Sequence, residues 1–138
     1  MLKTLLLVGS GGFIGSVARY LVQQLMHEKY ETGFPIGTFT VNIIGSFIIG
    51  VIYALSEKTG VLSSELRLFL AVGLCGGFTT FSSFAYESYK MINIEQFFFV
   101  ALYMGLSLFF GLLATYLGVL SIKVMWFLSE DCELQVAF

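Results

Sequence analysis

The sequence predicts an all-α membrane protein with four transmembrane helices, of which the third is broken. Hydrophobic residues make up 57% of the 138-residue chain and charged residues only 12%, whereas a soluble domain carries about 25% charged residues. Four apolar stretches reach the length of about 20 residues that crosses a bilayer as a helix. The third stretch gathers glycine and hydroxyl residues at its centre, where a regular helix is poorly favoured.

The four predicted spans are separated by short polar connectors, and Pro35 stands where a helix can begin without losing a hydrogen bond. The second and fourth spans contain no charged residue. No composition shift marks a second domain, so residues 1–128 form one membrane domain and 129–138 a polar C-terminal tail. The spans cover residues 4–26, 36–56, 66–89 and 97–122.

Glycines open the first span at a spacing that also occurs in dinucleotide-binding loops: Gly9, Gly12 and Gly15. That fold needs a second strand ending in an acidic residue about 20 residues later. Here a polar loop and an uncharged apolar span follow instead. Gly11 and Gly15 lie four residues apart, a spacing at which small residues let membrane helices approach closely. We therefore interpret these glycines as packing residues.

Polar residues recur every four positions on one face of two otherwise apolar spans. Such stripes are common in membranes as interhelical hydrogen bonds, and a polar track lining a narrow pore is the alternative. Two parallel stripes favour the pore. The stripe of the second span is Thr38, Asn42, Ser46 and Gly50, and that of the fourth is Tyr103, Ser107, Gly111 and Thr115.

Arg19 is a cation within the first span. A charge at that depth marks a functional site, a buried partner, or a side chain that snorkels to the headgroups. The first, second and fourth spans hold no carboxylate, and Glu87, near the end of the third, is the only acidic residue within any span. Without a nearby carboxylate, Arg19 favours an anion.

The third span carries the segment VGLCGGFTTFSSFAYES at residues 72–88. A broken helix survives at membrane depth only where protein or a cavity satisfies its backbone, and its free carbonyls can coordinate a cation. Phe81 and Phe84 follow on one face. Packing is the ordinary role of such rings, but their positive edges can also line an anion path.

Three segments, GGFIGSVARY, GTFTVNIIGSF and GLCGGFTTFSSFAYE, resemble the signature blocks of the Fluc, or CrcB, family of fluoride channels. The resemblance covers about residues 1–125. It implies an antiparallel, dual-topology homodimer with two fluoride pores, passive export of cytoplasmic fluoride, and a structural sodium ion at the dimer axis. The balance of basic residues in the connectors is compatible with insertion in both orientations.

The resemblance also implies site residues. It places Arg19 at a vestibule that attracts anions, and the backbone carbonyls of Gly76 and Thr79 on the sodium ion. Gly111 departs from the family pattern at a position where some members carry a hydroxyl, so the polar track is interrupted there. The predicted fluoride path comprises Asn42, Phe81, Phe84, Thr38, Ser82, Tyr103, Ser107 and Thr115.

The residues also bear on three other classes of protein. A small multidrug transporter is also a four-helix, dual-topology dimer, but it needs a carboxylate in its first span. A membrane subunit without transport would explain the glycines but not Arg19, Asn42 and the broken span together. An enzyme would lack a base, since His27 is the only histidine. The net charge of −2 gives no basic patch for nucleic acid. We expect a multi-pass protein of the cell membrane, and of a bacterial inner membrane in particular.

Overall fold

A computed structural model of the protein describes residues 1–30, 33–59 and 62–136, and the side chains of the predicted polar tail lie outside this part. The described residues are helical and contain no strand. The first helix is Leu2–Lys29, the second Ile36–Thr59 and the last Phe97–Val136. Four segments are long and apolar enough to cross a membrane: Leu2–Lys29, Ile36–Glu57, Ser64–Asn93 and Phe97–Leu128. The predicted all-α, multi-pass membrane fold is confirmed.

The third span consists of two half-helices. The first half-helix, residues 64–78, is α-helical over Ser64–Arg67, π-helical over Leu68–Cys75 and α-helical again over Gly76–Phe78. The second half-helix is Phe81–Asn93. Thr79 and Thr80 between them are extended, with φ −85° and −149°. The predicted break is confirmed. The π-helix, a rare form found mostly at functional sites, was not predicted.

Glycine contacts fix the first helix against the first half-helix. A Cβ at Gly11 would lie 2.5 Å from the carbonyl oxygen of Phe69, and one at Gly15 would overlap the carbonyl of Leu74. From the other side, a Cβ at Gly77 would lie 2.5 Å from the carbonyl oxygen of Gly12. The two backbones therefore touch, which confirms the packing role of Gly11, Gly12 and Gly15. Gly9 is different, since a Cβ there would meet no atom of the described residues within 4 Å.

The second and last helices run parallel and form the other closely packed pair. Gly50 lies against the backbone of Thr115, and Gly118 against the backbone of Phe47 and Val51. The Thr115 hydroxyl is 3.1 Å from the carbonyl oxygen of Ser46, to which it donates. The order of these contacts along both helices sets them in register over several turns.

Polar contacts show which helix ends share one end of the bundle. Lys3 Nζ lies 2.6 Å from Glu65 Oε1, and Arg67 Nη1 lies 3.5 Å from Ser56 Oγ. The start of the first helix, the end of the second and the start of the third span therefore meet at one end. Along the helices, many large apolar side chains are exposed, as expected where lipid or another chain covers the surface.

Candidate functional site

Asn42 satisfies the backbone at the break of the third span. Its Oδ1 accepts from the N–H of Thr80 at 2.8 Å, and its Nδ2 donates to the carbonyl of Thr80 at 3.1 Å. Unpaired backbone groups at membrane depth are costly. This paired contact therefore ties the second helix to the break and explains how the break is tolerated.

The break redirects two amides from their helical partners. In a continuous α-helix the N–H of Thr80 would donate to Gly76 and that of Ser83 to Thr79. Here the N–H of Thr80 goes to Asn42, and that of Ser83 goes to the Thr80 hydroxyl at 3.2 Å, which caps the second half-helix. The carbonyls of Gly76 and Thr79 thus lose their usual donors.

A carboxylate lies at the centre of a polar cluster joined to all four spans. Glu87 Oε1 accepts from the Thr38 hydroxyl at 2.6 Å, and Oε2 accepts from the Tyr103 hydroxyl at 2.8 Å. Gln23 Nε2 in turn donates to the Thr38 oxygen at 3.1 Å. Thr38 is 2% exposed and Tyr103 fully buried. We name these four residues the Glu87 cluster.

Three rings connect the break with the Glu87 cluster. The ring centroids of Phe81 and Phe84 are 5.8 Å apart, and those of Phe84 and Tyr103 are 5.0 Å apart. Phe81 is 79% exposed, whereas Tyr103 is enclosed. These residues form an aromatic row that runs from an open end at the break to a buried end beside Glu87.

A cavity lies at each end of the aromatic row. The break cavity has a volume of about 380 Å³, and its wall includes Asn42, Thr79 and Phe81. The outer cavity has a volume of about 650 Å³, and its wall includes Thr38 and Glu87. Together the two cavities and the row outline a path through the chain.

Ser107 follows Tyr103 by one turn of the last helix. Its hydroxyl oxygen is buried and has no hydrogen-bond partner among the described residues. Buried polar groups normally find a partner, so this hydroxyl is an exception and a candidate donor to a ligand in the path. Gly111, another turn along, leaves space where a Cβ would lie 3.7 Å from Ser46 Oγ.

Other predicted site residues lie apart from this path. Ser82 is exposed, and its hydroxyl contacts that of Thr80 at 3.2 Å. The Thr115 hydroxyl is directed at the carbonyls of Ser46 and Gly111, so it joins the last helix to the second. Arg19 is partly buried and makes no ion pair with any described residue.

Two residues of the Glu87 cluster were not predicted as site residues. The signal for Glu87 was present, since it is the only acidic residue within a predicted span. Gln23 carried only a weak signal, an amide one turn after Arg19 near the end of an apolar stretch. No group of three or more His, Cys, Asp or Glu side chains that could hold a metal occurs in the described part of the chain.

Comparison with known proteins identifies the family. The model of the CrcB-like proteins, named for camphor resistance, matches residues 6–119. A fluoride-specific ion channel FluC of Chlorobium luteolum is 47% identical over 120 residues, which are 87% of this chain and 92% of the relative. FluC of Prosthecochloris aestuarii is 48% identical over 122 residues, 88% and 94% of the two chains. FluC 1 of Methanosarcina acetivorans is 41% identical over 118 residues, which are 86% of this chain and 89% of the relative. The chain therefore belongs to the CrcB family, as its signature blocks predicted.

Proposed function

We propose that the chain forms a fluoride-specific ion channel that releases cytoplasmic fluoride by passive flux. The observation that carries the proposal is the path of buried hydrogen-bond donors and ring edges through a membrane-spanning chain whose relatives are named fluoride channels. Fluoride is small and tightly hydrated, so a pore must replace its water with donors. Fluoride enters cells as HF and is trapped as the anion, which the membrane potential then expels.

The groups that can interact with fluoride change along the path from an amide N–H to aromatic ring edges and a hydroxyl. At the break, Asn42 holds Thr80 and keeps one amide hydrogen beyond the one that it donates. The edges of Phe81 and Phe84 carry partial positive charge and attract an anion without holding it tightly. Ser107 offers a buried hydroxyl that has no hydrogen-bond partner in the described part of the chain. A narrow path of this kind excludes chloride by size.

Glu87 lies at the far end of the path, where a carboxylate competes with a passing anion for hydrogen-bond donors. Its two oxygens already accept from Thr38 and Tyr103. These are the same donors that a passing fluoride needs, so the carboxylate and the ion compete for them. A fluoride ion reaching Tyr103 takes over donors that Glu87 holds when the path is empty.

Arg19 serves the proposed channel by attracting anions. It is partly buried in the first helix and has no ion-pair partner among the described residues. An uncompensated cation of this kind raises the local concentration of anions.

We also propose a structural sodium ion held by the carbonyl oxygens of Gly76 and Thr79. These groups suit it because the break diverts the amides that would otherwise occupy them. Unwound backbone carbonyls are known ligands for sodium in membrane proteins. The ion would supply a fixed positive charge beside the break. The chain's own contribution is the break itself, which Asn42 holds open.

The proposed assembly is an antiparallel, dual-topology homodimer with two pores. Its support is the open side of the break, where Phe81 is 79% exposed and the break cavity faces outward. A second chain placed there would cover the ring, close the path and bring a second pair of Gly76 and Thr79 carbonyls to the axis. Labelling that places every N-terminus on one side of the membrane would contradict this arrangement.

Anion efflux from liposomes tests the function. Purified protein is reconstituted in vesicles loaded with fluoride or chloride, and efflux is followed with ion-selective electrodes against protein-free vesicles. We expect fluoride efflux well above the protein-free rate, chloride efflux at that rate, and no coupled proton movement. Equal efflux of both ions would contradict a fluoride-specific channel.

The sodium proposal is tested separately by stability. Thermal unfolding of the purified protein is measured in sodium and in a large organic cation that the carbonyls cannot hold. We expect a lower melting temperature without sodium. Identical melting curves in the two salts would contradict the site.

A further inference from the structure

The hydrogen bonds of the Glu87 cluster have a fixed direction. The Thr38 hydroxyl donates its single proton to Glu87 Oε1, 2.6 Å away. The Thr38 oxygen then has only lone pairs left to offer Gln23. The contact with Gln23 at 3.1 Å is therefore made by the amide N–H, which donates. The chain runs from Gln23 through Thr38 to Glu87.

We propose that Gln23 is a positioning residue for fluoride: its N–H holds the Thr38 hydroxyl so that the proton of Thr38 faces the path. The inference rests on the proposed channel function. A free hydroxyl can turn a lone pair toward an anion, which weakens the site. When an N–H occupies one lone pair of the Thr38 oxygen, the hydroxyl is held with its proton turned away from Gln23, toward Glu87 and the path. Donation from Gln23 also polarises the Thr38 O–H bond and strengthens it as a donor.

The surroundings of Gln23 support this role. Gln23 and Thr38 both line the outer cavity, so the pair lies at the mouth of the path. Neighbouring Gln24 has a different position, since it is exposed and donates to Glu28 at 2.9 Å. The titratable groups that share the cavity wall with Gln23 are His27, Tyr30, Tyr86, Glu87 and Lys90.

Three substitutions of Gln23 separate donation from charge. Gln23→Met keeps the length and neutrality of the side chain but removes the donor, Gln23→Lys provides only donors, and Gln23→Glu provides only acceptors when ionised. Fluoride efflux from proteoliposomes is measured for each. We expect roughly tenfold slower efflux for Gln23→Met, slower efflux still for Gln23→Glu, and efflux near the native rate for Gln23→Lys.

Two further variants are controls for charge. His27→Glu places a carboxylate one turn along the same helix in the wall of the same cavity, and Gln24→Glu places one on the exposed face. We expect His27→Glu to lose less efflux than Gln23→Glu, and Gln24→Glu to keep the native rate. Helical content and elution in detergent establish that each variant is folded.

The outcomes that overturn the proposal are specific. Native efflux in Gln23→Met would show that the donor is not needed, and efflux in Gln23→Lys as slow as in Gln23→Met would show that donation is not the property that matters. An equal loss in His27→Glu and Gln23→Glu would assign the effect to charge alone. If Gln23→Glu does not fold, the comparison of Gln23→Met with Gln23→Lys decides. A native protein without fluoride efflux would refute the channel function itself.

Discussion

The two halves of the third span are built for different tasks. The first half-helix touches the first helix backbone to backbone through glycines, with little room between them. The second half-helix begins with a side-chain cap at Thr80, and its Glu87 binds groups from two other helices. Direct backbone contact resists displacement of the first half-helix, whereas the hydrogen bonds of the second half-helix can be exchanged for hydrogen bonds to an ion. Thr79 and Thr80 therefore separate a fixed half, the first half-helix, from a working half, the second half-helix.

Gly15→Ala tests the packing of the first half-helix against the first helix, and we expect it to cause the greatest loss of stability. In Gly15→Ala the new Cβ overlaps the Leu74 carbonyl and lies 2.8 Å from the amide nitrogen of Phe78. Backbone cannot yield as a side chain can, so we expect a loss of about 3 kcal/mol or more in unfolding free energy. Chemical unfolding in detergent measures it. Gly9→Ala is the matched control, because nothing lies within 4 Å of its Cβ. Equal stability of the two variants would contradict the glycine contact.

Asn42→Leu tests the hydrogen bonds that hold Thr80 at the break, and we expect the next largest loss of stability. Asn42→Leu leaves the N–H and carbonyl of Thr80 without partners. Each unsatisfied buried group costs about 1–3 kcal/mol, so for the two groups we expect a loss of about 2–6 kcal/mol in the unfolding free energy. Ser46→Ala, one turn along the same helix, is the control and should change it by less than about 1 kcal/mol. A native melting curve for Asn42→Leu would show that the break does not depend on this amide.

Substitution of Phe81 or Phe84 tests the second half-helix, because it should slow fluoride efflux without unfolding the protein. Phe81→Ile or Phe84→Ile keeps an apolar side chain but removes the ring edge, so we expect fluoride efflux roughly tenfold slower from each. Phe109→Ile is the control, since this ring is 62% exposed and packs on Phe110 outside the path. Native efflux in both path variants would assign these rings to packing alone.

Thr79→Ser tests whether the side chain or the backbone at the break holds the proposed sodium ion, and we expect the smallest change from this variant. Thr79→Ser keeps the hydroxyl that donates to the Cys75 carbonyl at 2.9 Å and the main-chain oxygen proposed for sodium. We expect the sodium-dependent rise in melting temperature to remain, because the proposed ligands belong to the backbone. Its disappearance in Thr79→Ser would mean that the side chain holds the ion instead.

Much of the fold followed from local signals in the sequence. Apolar runs longer than a bilayer crossing predict the spans, and small residues such as Gly11 and Gly15 predict close helix contacts, because both depend on residues near one another in the chain. The π-helix at Leu68–Cys75 could not be predicted, since its apolar residues suit an α-helix equally well. The last helix also continues past residue 122 to Val136, because no proline or glycine ends it there.

The candidate site was harder to predict because its contacts join distant parts of the chain. Asn42 was predicted as a pore residue from its stripe, but its bonds to Thr80 depend on how the second helix meets the break. Glu87 stood out by charge, yet its partners Thr38 and Tyr103 lie on two other helices. Thr115 shows the reverse case, a stripe residue whose hydroxyl is directed at backbone carbonyls.

The length of the last helix has a practical consequence for experiments on orientation. Its 40 residues extend over about 60 Å, about twice the thickness of the hydrocarbon layer. The apolar segment ends at Leu128, and the helix continues beyond it at the end of the bundle where the first helix starts. A fluorescent or protease-cleavable tag fused beyond Val136 would be held clear of the pore mouth and accessible to reagents. Such a tag could count how many copies face each compartment without disturbing the path.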